Sequence, residues 1–262
     1  KRPALITFTN GYHGRSYMGM ALSARMIPFK QGFGPFPSDI YRLPFPDYFH
    51  GISLEDTKRA FDTLFRSDCP PDQIAAIFFE PVQGEGGVRD TGTGFLRDLR
   101  TLCDKHDILL GFDEVQCGIG RTGKLFAHEW AEVIPDVMAI AKGIGGGFPL
   151  GAFLTSEKLG AAMQAGTHGS TYGGNPLGCA VASAVLDEVA APEFLAEVSR
   201  KAGALRQGLE GLVAQYPDVF EGVTGAGLML GLKCKASNID VVKAGYDCEV
   251  LTVPAADNVV RV

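Results

Sequence analysis

The stretch VMAIAKGIGGGFPLGA, residues 137–152, joins a short apolar run to a lysine and a cluster of glycines. Residues 137–141 are all apolar, which is typical of a strand covered on both faces of a parallel sheet. Lys142 follows directly, and Gly143 is the first of four glycines up to residue 147. Because glycine lets the backbone pass close to a bulky ligand, we interpret Lys142 as a functional lysine rather than one that reaches from a strand end to water.

Apolar runs of the same kind alternate with helical patterns along most of the chain. Further runs occupy residues 5–8, 74–79 and 108–112, and amphipathic helical patterns lie between them, near 54–66 and 95–103. This order predicts an α/β fold with a mostly parallel central sheet that is covered by helices.

The pattern changes after Pro176, where a helix is expected to run to about residue 190. A long amphipathic segment follows Pro192 and ends before Pro217, and short strand-like runs come after it. We therefore expect a large domain over residues 1–186 and a smaller C-terminal α+β domain over residues 187–262.

The composition of the chain argues against several classes of protein. The chain has 262 residues, 46% of them apolar, and a net charge of −6. No basic block is present, so nucleic acid is not an expected partner, and no apolar run approaches the length of a membrane span. The six cysteines form no CxxC pair, which argues against a zinc or redox motif and favours reduced cysteines in the cytoplasm.

Polar residues follow the ends of the predicted strands. Tyr12 comes after the first strand, Glu80 after the second, Asp113 after the third and Lys142 after the fourth. Ligands of open parallel sheets bind beyond the carboxyl ends of the strands. The sequence therefore predicts that an aromatic ring, two carboxylates and a lysine meet at one edge of the sheet.

These residue types together point to one chemistry. A desolvated Lys142 would be a nucleophile toward carbonyls and could form a Schiff base. A buried Asp113 needs a cationic partner, and a protonated heterocyclic nitrogen would serve. This pair is what pyridoxal phosphate requires, with Gln116 able to donate to the ring oxygen and Tyr12 able to stack on the ring. Taken singly, Asp113 could also be a helix cap or a solvated loop carboxylate, and Tyr12 a core residue.

A rival reading rests on GIGRTG, residues 118–123, which matches the G-x-G-x-x-G pattern of dinucleotide-binding loops. It would make the protein an NAD-dependent oxidoreductase. However, the first glycine comes five residues after Asp113 and not at the strand end. The G-x-x-x-x-G-K-[ST] pattern of a P-loop does not occur in the chain.

Five segments taken together resemble the class III aminotransferases, which are fold type I pyridoxal-phosphate enzymes. The segments, in the order of the family, are GYHGRS, FFEPVQGEGG, FDEVQCGIGRTGKLFAHEW, AIAKGIGGGFPLGA and GTHGSTYGGNPLG. They spread over nearly the whole chain, and in combination they are highly specific. The resemblance implies pyridoxal 5′-phosphate as the cofactor and a fold type I architecture.

The resemblance also implies a role for individual residues. Lys142 would hold the cofactor and move the substrate proton, and Asp113 would pair with the pyridine nitrogen. Tyr12 would stack on the ring, where the family usually has Phe. The other implied cofactor contacts are Glu114, Val115, Gln116 and, toward the cofactor of a neighbouring subunit, Thr171. The implied substrate contacts are Arg15, Ser170, Glu80 and Arg261.

Within this substrate set, Arg15 and Ser170 would contact an acylated diamino acid. Arg261 would hold the α-carboxylate of glutamate, and Glu80 would pair with Arg261 to admit two different substrates in turn. The family's phosphate loop lies upstream of residue 1, and the family continues beyond Arg261. We therefore expect both domains to be parts of a longer enzyme.

Within the family, the resemblance is greatest to members that transfer the δ-amino group of N-acetylornithine to 2-oxoglutarate in arginine biosynthesis. The products of that reaction are N-acetylglutamate semialdehyde and glutamate. The implied partners are these small molecules and a second copy of the chain, in a homodimer with shared active sites. Two alternatives stay open: another ω-aminotransferase, acting on ornithine, succinylornithine or 4-aminobutyrate, and a non-catalytic relative kept for assembly or regulation.

Overall fold

The computed structural model describes residues 2–262. The helices are α1 (Tyr17–Leu22), α2 (Leu54–Ser67), α3 (Gly92–His106), α4 (Glu157–Gly160), α5 (Pro176–Val189), α6 (Pro192–Gln215) and α7 (Asn238–Asp247). The strands of the first half are β1 (Ala4–Phe8), β2 (Ile40–Leu43), β3 (Ile74–Phe79), β4 (Val82–Gln83), β5 (Arg89–Asp90), β6 (Leu109–Asp113), β7 (Val137–Ala141) and β8 (Gly151–Thr155). The C-terminal strands are β9 (Phe220–Ala226), β10 (Met229–Cys234), β11 (Val253–Ala255) and β12 (Val259–Arg261).

The central sheet has six strands in the order β2-β1-β3-β6-β7-β8. All neighbours run parallel except β7 and β8, which are antiparallel. The predicted α/β fold with a mostly parallel sheet is therefore confirmed. Strand β8 escaped the sequence analysis, because its residues are exposed along most of their length and show no buried pattern.

The main core packs α2 and α3 against this sheet. Phe8 on β1 lies at its centre, and four phenylalanine rings surround it at centroid distances between 5.1 and 6.4 Å. Phe61 comes from α2, Phe95 from α3 and Phe79 from β3. Edge-to-face contacts of this kind stabilise beyond the area they bury, so this cluster holds the carboxyl ends of β1 and β3 at fixed positions.

The C-terminal residues form a separate antiparallel sheet in the order β11-β12-β10-β9. Leu209 of α6 and Val242 of α7 pack against its inner face, on Leu230 and Leu232. The predicted boundary near residue 187 falls inside helix α5, which packs against the central sheet. The division into domains 1–186 and 187–262 stays a prediction.

A buried charge cluster fixes the C-terminal sheet against the loops of the first half. Arg89 contacts Asp47 and lies 2.7 Å from Asp257. Lys233 lies 2.8 Å from Asp257, and His50 lies 2.7 Å from it. Because Asp257 lies in the turn before β12 and Lys233 lies on β10, these contacts join the C-terminal sheet to the loops that carry Asp47 and Arg89.

Candidate active site

The ends of strands β1, β3 and β6 bring three predicted site residues together. The backbone N–H of Tyr12 donates to Glu80 Oε2 at 2.9 Å. Glu80 directly follows β3, and Asp113 is the last residue of β6. Since β1, β3 and β6 are adjacent parallel strands, their carboxyl ends meet at one edge of the sheet.

Asp113 is buried and has two partners within the chain. Its Oδ1 accepts a hydrogen bond from the backbone N–H of Val115 at 3.1 Å, and its Oδ2 lies 2.9 Å from Nδ1 of His13. This contact of His13 with Asp113 was not predicted from the sequence. The signal was present in GYHGRS, because an imidazole placed at a buried strand end needs a polar partner.

Glu80 is enclosed at the same edge. Its Oε2 accepts from the N–H of Tyr12, and its Oε1 from the N–H of Gly84 at 3.3 Å. Burial raises the pKa of Glu80 to about 7; His13 opposes this shift and Asp113 adds to it. Glu80 is thus a carboxyl group that changes its charge close to neutral pH.

The predicted pairing of Glu80 with Arg261 does not occur in the structure. Arg261 Nη1 lies 2.8 Å from Glu85 Oε1 instead. The reason is positional: Glu80 ends a buried strand and points at backbone N–H groups, whereas Glu85 lies in the turn between β4 and β5, where β12 can reach it. The carboxylate next to Arg261 is therefore Glu85.

Lys142 follows β7, which is paired with β6, so it lies one strand away from Asp113. The expectation of a desolvated lysine is not met, since Lys142 is exposed in the described part of the chain. Its φ of 49° is in the left-handed region. Such a conformation is costly for a residue with a side chain and concentrates at functional sites.

A cavity of about 290 Å³ places Lys142 together with Val115, Gln116 and Arg261. The Gln116 side chain passes over Gly84 so closely that a Cβ on Gly84 would lie 1.3 Å from Gln116 Oε1. Glycine at position 84 is therefore required for this placement. The cavity combines an amine, an amide and a guanidinium, a donor set that suits a ligand with carbonyl and acidic groups.

Glu114 lies in the predicted cofactor loop, but its side chain turns away from the cavity. Its carboxylate is fully buried and accepts from the N–H groups of Ala127 and His128, each at 2.9 Å. These bonds hold the turn after the loop in place. A cofactor contact by Glu114 would have to come from its backbone.

Tyr12 and Arg15 surround Phe29. The Tyr12 ring lies 4.7 Å from the Phe29 ring, and the Arg15 guanidinium lies 4.9 Å from its centroid. A second arginine, Arg25, lies 5.8 Å from the same centroid. In the described part of the chain no carboxylate lies within ion-pair distance of Arg15, which leaves its guanidinium available to an anionic ligand.

Two predicted residues are not brought together with the others. Ser170 and Thr171 lie in an exposed segment, residues 151–177, in which no residue is buried. The segment contains Tyr172, which is 82% exposed, and Leu177, which is 63% exposed.

The dinucleotide-loop reading of residues 118–123 finds no support in the structure. These residues form turns, and the next helical element is a short 3₁₀ segment, Ala127–Ala131. A dinucleotide-binding loop of this pattern leads directly into an α-helix whose N-terminus holds the phosphates. The alternative of an NAD-dependent oxidoreductase is therefore dropped.

The helices described within residues 2–262 are all too short or too polar to cross a bilayer.

A family model described as aminotransferase class-III matches residues 1–262. The acetylornithine aminotransferase of Rhodobacter capsulatus is 55% identical over 261 residues, which cover 100% of this chain and 62% of the relative. That of Mesorhizobium japonicum is 48% identical over 261 residues and is covered to 61%. The chain thus spans about three fifths of the length of these relatives.

Solved structures with similar folds include two named aminotransferases. The ornithine aminotransferase of Toxoplasma gondii superposes with a TM-score of 0.88 at 29% identity, over 100% of this chain and 59% of that one. The N-acetylornithine aminotransferase of Stenotrophomonas maltophilia has a TM-score of 0.75 at 34% identity, over 99% and 59%.

Proposed function

The chain belongs to the class III aminotransferases, and we propose that the protein is a pyridoxal-phosphate-dependent enzyme that transfers the δ-amino group of N-acetylornithine to 2-oxoglutarate. Its products would be N-acetylglutamate semialdehyde and glutamate, in arginine biosynthesis. The observation that carries the proposal concerns two paired strands: β6 ends on the buried Asp113, and Lys142 directly follows β7.

The residues present fit pyridoxal phosphate by their chemistry. Asp113 offers a buried carboxylate for the pyridine nitrogen, Lys142 an amine for the aldehyde, and Gln116 an amide for the ring oxygen. When bound, the cofactor supplies an electron-withdrawing ring that stabilises negative charge on the substrate carbon. Every other part of the chemistry falls to the side chains of the protein.

Lys142 performs two tasks in this proposal. Its amine would hold the cofactor through the aldehyde, and the same amine would carry the proton at the reacting carbon of the substrate. A positioned base of this kind typically accelerates proton transfer by ~10²–10⁴-fold. The left-handed backbone at Lys142 fixes the direction in which its side chain leaves the end of β7.

Asp113 keeps the proton on the pyridine nitrogen, because an ionised carboxylate stabilises an adjacent cation. Val115 N–H and His13 Nδ1 hold its two oxygens, one each. With both oxygens engaged, the carboxylate keeps a fixed orientation. His13 is therefore a positioning residue for Asp113.

Arg261 and Glu85 would let one cavity accept two substrates in turn. Arg261 can bind the α-carboxylate of 2-oxoglutarate or glutamate through two parallel hydrogen bonds. The δ-amino end of N-acetylornithine carries no carboxylate, and Glu85 then neutralises Arg261 through the 2.8 Å contact that the structure has. Arg15 and Ser170 would contact the acylated amino-acid end of the donor.

We propose that the protein acts as a homodimer with shared active sites. The exposed apolar residues of segment 151–177 support this, since an apolar surface of this kind is stable when a partner covers it. Thr171, which is exposed in this chain, would bind the cofactor phosphate of the neighbouring subunit. We also propose a cytoplasmic location, supported by six cysteines that form no disulfide.

The proposal is tested on the purified, cofactor-loaded protein. Borohydride treatment followed by peptide mass analysis should find the added cofactor mass on Lys142, with Lys142→Ala and Lys105→Ala as the test and control variants. Lys105 is exposed on α3, far from β7, so its loss should change nothing. Modification of another lysine, or none, contradicts the assignment.

The substrate is tested separately. Turnover with 2-oxoglutarate is measured for N-acetylornithine, ornithine, succinylornithine and 4-aminobutyrate under the same conditions. We expect N-acetylornithine to have the largest kcat/KM. A larger value for another donor replaces the proposed substrate while leaving the cofactor chemistry intact.

A further inference from the structure

The turn between β4 and β5, which carries Glu85, is docked on the turn between β11 and β12. The backbone N–H of Ala256 donates to the carbonyl oxygen of Glu85 at 3.1 Å. A Cβ on Gly87 would lie 3.1 Å from the carbonyl oxygen of Ala256 and 3.5 Å from Cβ of Asp257, so the two turns pack closely. Gly87 also has a φ of 115°, which favours glycine. These contacts fix the backbone of Glu85 beside β12.

Arg261 is held by a different set of contacts. It lies on β12 between two antiparallel neighbours, with Gly231 of β10 opposite it on one side and Val253 of β11 on the other. The C-terminal sheet thus sets the position of Arg261, whereas the docking of the two turns sets the position of Glu85. The 2.8 Å contact between Arg261 Nη1 and Glu85 Oε1 depends on both.

Arg89 and Asp257 form the buried part of this docking. Arg89 follows the Glu85 turn on β5, and its side chain is only 9% exposed. Its Nη2 lies 2.7 Å from Asp257 Oδ2, and its Nη1 contacts Asp47. One planar guanidinium thus binds two carboxylates from two different loops. A lysine could not replace it without loss, because an ammonium group is a single point of charge.

The charges of this cluster are balanced within the chain. Lys233 Nζ lies 2.8 Å from Asp257 Oδ1, so each oxygen of Asp257 has its own cation. His50 Nε2 lies 2.7 Å from the same Oδ1. Asp47, His50 and Asp257 are residue types that bind metal ions, but Arg89 and Lys233 already offset both carboxylates. Removal of one partner would leave a buried charge uncompensated, which costs more than the loss of an exposed pair.

We propose that Arg89 is a positioning residue that acts through Asp257 to hold Glu85 against Arg261. Without the contact between Arg89 and Asp257, the turn that carries Glu85 loses its buried anchor, and Glu85 moves away from the guanidinium. Arg261 then stays charged and unpaired while the amino donor is bound, because the δ-amino end of the donor has no carboxylate. This inference rests on the proposed function for the roles of Arg261 and Glu85.

The first experiment determines crystal structures of the cofactor-loaded protein without substrate, as wild type, Arg89→Gln and the control Arg200→Gln. Arg200 is exposed on α6 and pairs with Glu197, so its loss should leave the cluster intact. We expect the contact between Arg261 and Glu85 in wild type and Arg200→Gln, and its loss in Arg89→Gln. An Arg89→Gln structure that keeps this contact overturns the inference.

A second variant covers the case that Arg89→Gln does not fold. Asp257→Asn removes the charge that Arg89 binds, and asparagine suits the left-handed φ of 59° at this position. The contact between Glu85 and Arg261 should be lost here as well, and its retention overturns the inference. The wild-type structure alone also overturns it if Arg89 does not contact Asp257.

The second experiment measures kcat/KM for N-acetylornithine and for 2-oxoglutarate in the same proteins, below their unfolding temperatures. An unpaired Arg261 disfavours the donor and not 2-oxoglutarate. The ratio of the donor value to the 2-oxoglutarate value should therefore fall by about 10-fold in Arg89→Gln, in line with the cost of misplaced groups. A purely structural role of Arg89 would lower both values together, and an unchanged ratio contradicts the inference.

Glu85→Gln separates this inference from the proposed function. If Glu85→Gln lowers the ratio and Arg89→Gln does not, only the role of Arg89 is wrong. If Glu85→Gln itself leaves the ratio unchanged, the proposed roles of Glu85 and Arg261 are wrong, and the crystal structures still decide whether Arg89 positions Glu85. In the double variant, we expect no further fall beyond that of Glu85→Gln, because both changes act on one contact.

Discussion

The edge formed by the ends of β1, β3 and β6 contrasts with the exposed segment of residues 151–177. At the edge, Glu80, Asp113 and Glu114 are buried, and each accepts hydrogen bonds from groups of the same chain. In the segment, no residue is buried, and both Ser170 and Thr171 are exposed. The chain thus positions the carboxylates of this edge by its own packing.

The segment differs because its strand and loops lie at the outer edge of the sheet. β8 pairs with β7 on one side only, and the residues that follow it pack against little of the chain. Lys142 lies between the two regions: it follows a strand of the edge, yet it is exposed. The exposure of a residue therefore depends on how many elements surround it and not on its functional importance.

The largest expected effect concerns Lys142→Ala, which tests whether the exposed lysine belongs functionally to the buried edge. Turnover should fall by about 10²–10⁴-fold or more, since the variant has neither the covalent amine nor the proton carrier. The fold should persist, because Lys142 packs against little. Steady-state transamination and thermal unfolding measure the two effects, and turnover close to that of Lys105→Ala would falsify the assignment.

Asp113→Asn changes the centre of the buried edge. We expect a turnover loss of about 10²-fold or more, because a neutral amide cannot stabilise a proton on the pyridine nitrogen. The amide oxygen can still accept from the N–H of Val115, so the loop should keep its place. Turnover is measured with saturating cofactor, so that a slower reaction is distinguished from weaker cofactor binding. Asp62→Asn, on the outer face of α2, is the matched control, and equal rates in both variants would count against the pairing.

Glu80→Gln tests the buried edge through stability. The pKa of Glu80 is raised from 4.5 to about 7, so the folded state binds the proton more tightly than the unfolded state does. Its contribution to stability is complete below about pH 4.5 and is lost as the pH rises toward 7, by up to about 3 kcal/mol. The free energy of unfolding in urea, measured at several pH values, should fall as the pH rises toward 7 in wild type and not in Glu80→Gln. A fall of the same size in Glu80→Gln would contradict the assignment to Glu80.

The smallest expected effect belongs to the exposed segment. Leu177→Asp should weaken dimer association by about 10-fold or more, because it places a charge in an apolar contact surface. It should leave the stability of the single chain nearly unchanged, since Leu177 is 63% exposed. Light scattering across a dilution series measures the association. The control is Ile134→Asp, because Ile134 lies outside the segment and is 81% exposed. Equal dimer association in the two variants would mean that the segment does not belong to the interface.

Much of the fold could be predicted from local patterns. The continuous apolar runs at residues 74–79 and 137–141 coincide with β3 and β7. Such strands are easy to locate in a sequence, because a strand covered on both faces has no alternation of polar and apolar residues. Pro176 and Pro192 open α5 and α6 at the predicted positions, since proline suits the first helical turn. The exposed strand β8 carried no such signal.

For the site, the residue types were predictable and several partners were not. Lys142, Asp113 and Gln116 lie at strand ends or in the loops after them, where their chemistry was expected. The partner of Arg261 is Glu85 and not Glu80, and the partner of Asp113 includes His13. The first difference concerns Glu80 and Glu85, which are close together in the chain but whose side chains point in different directions.

The order of strands, helices and chemical groups follows from the amino-acid sequence, because apolar periodicity and proline or glycine positions act over a few residues. The pairing of side chains follows from how distant elements pack, as when β12 carries Arg261 to Glu85 across 176 positions of the chain. The exposure of Lys142 and the proton-binding of Glu80 depend in the same way on the surrounding elements, since burial and electrostatic energy are set by all neighbours in space.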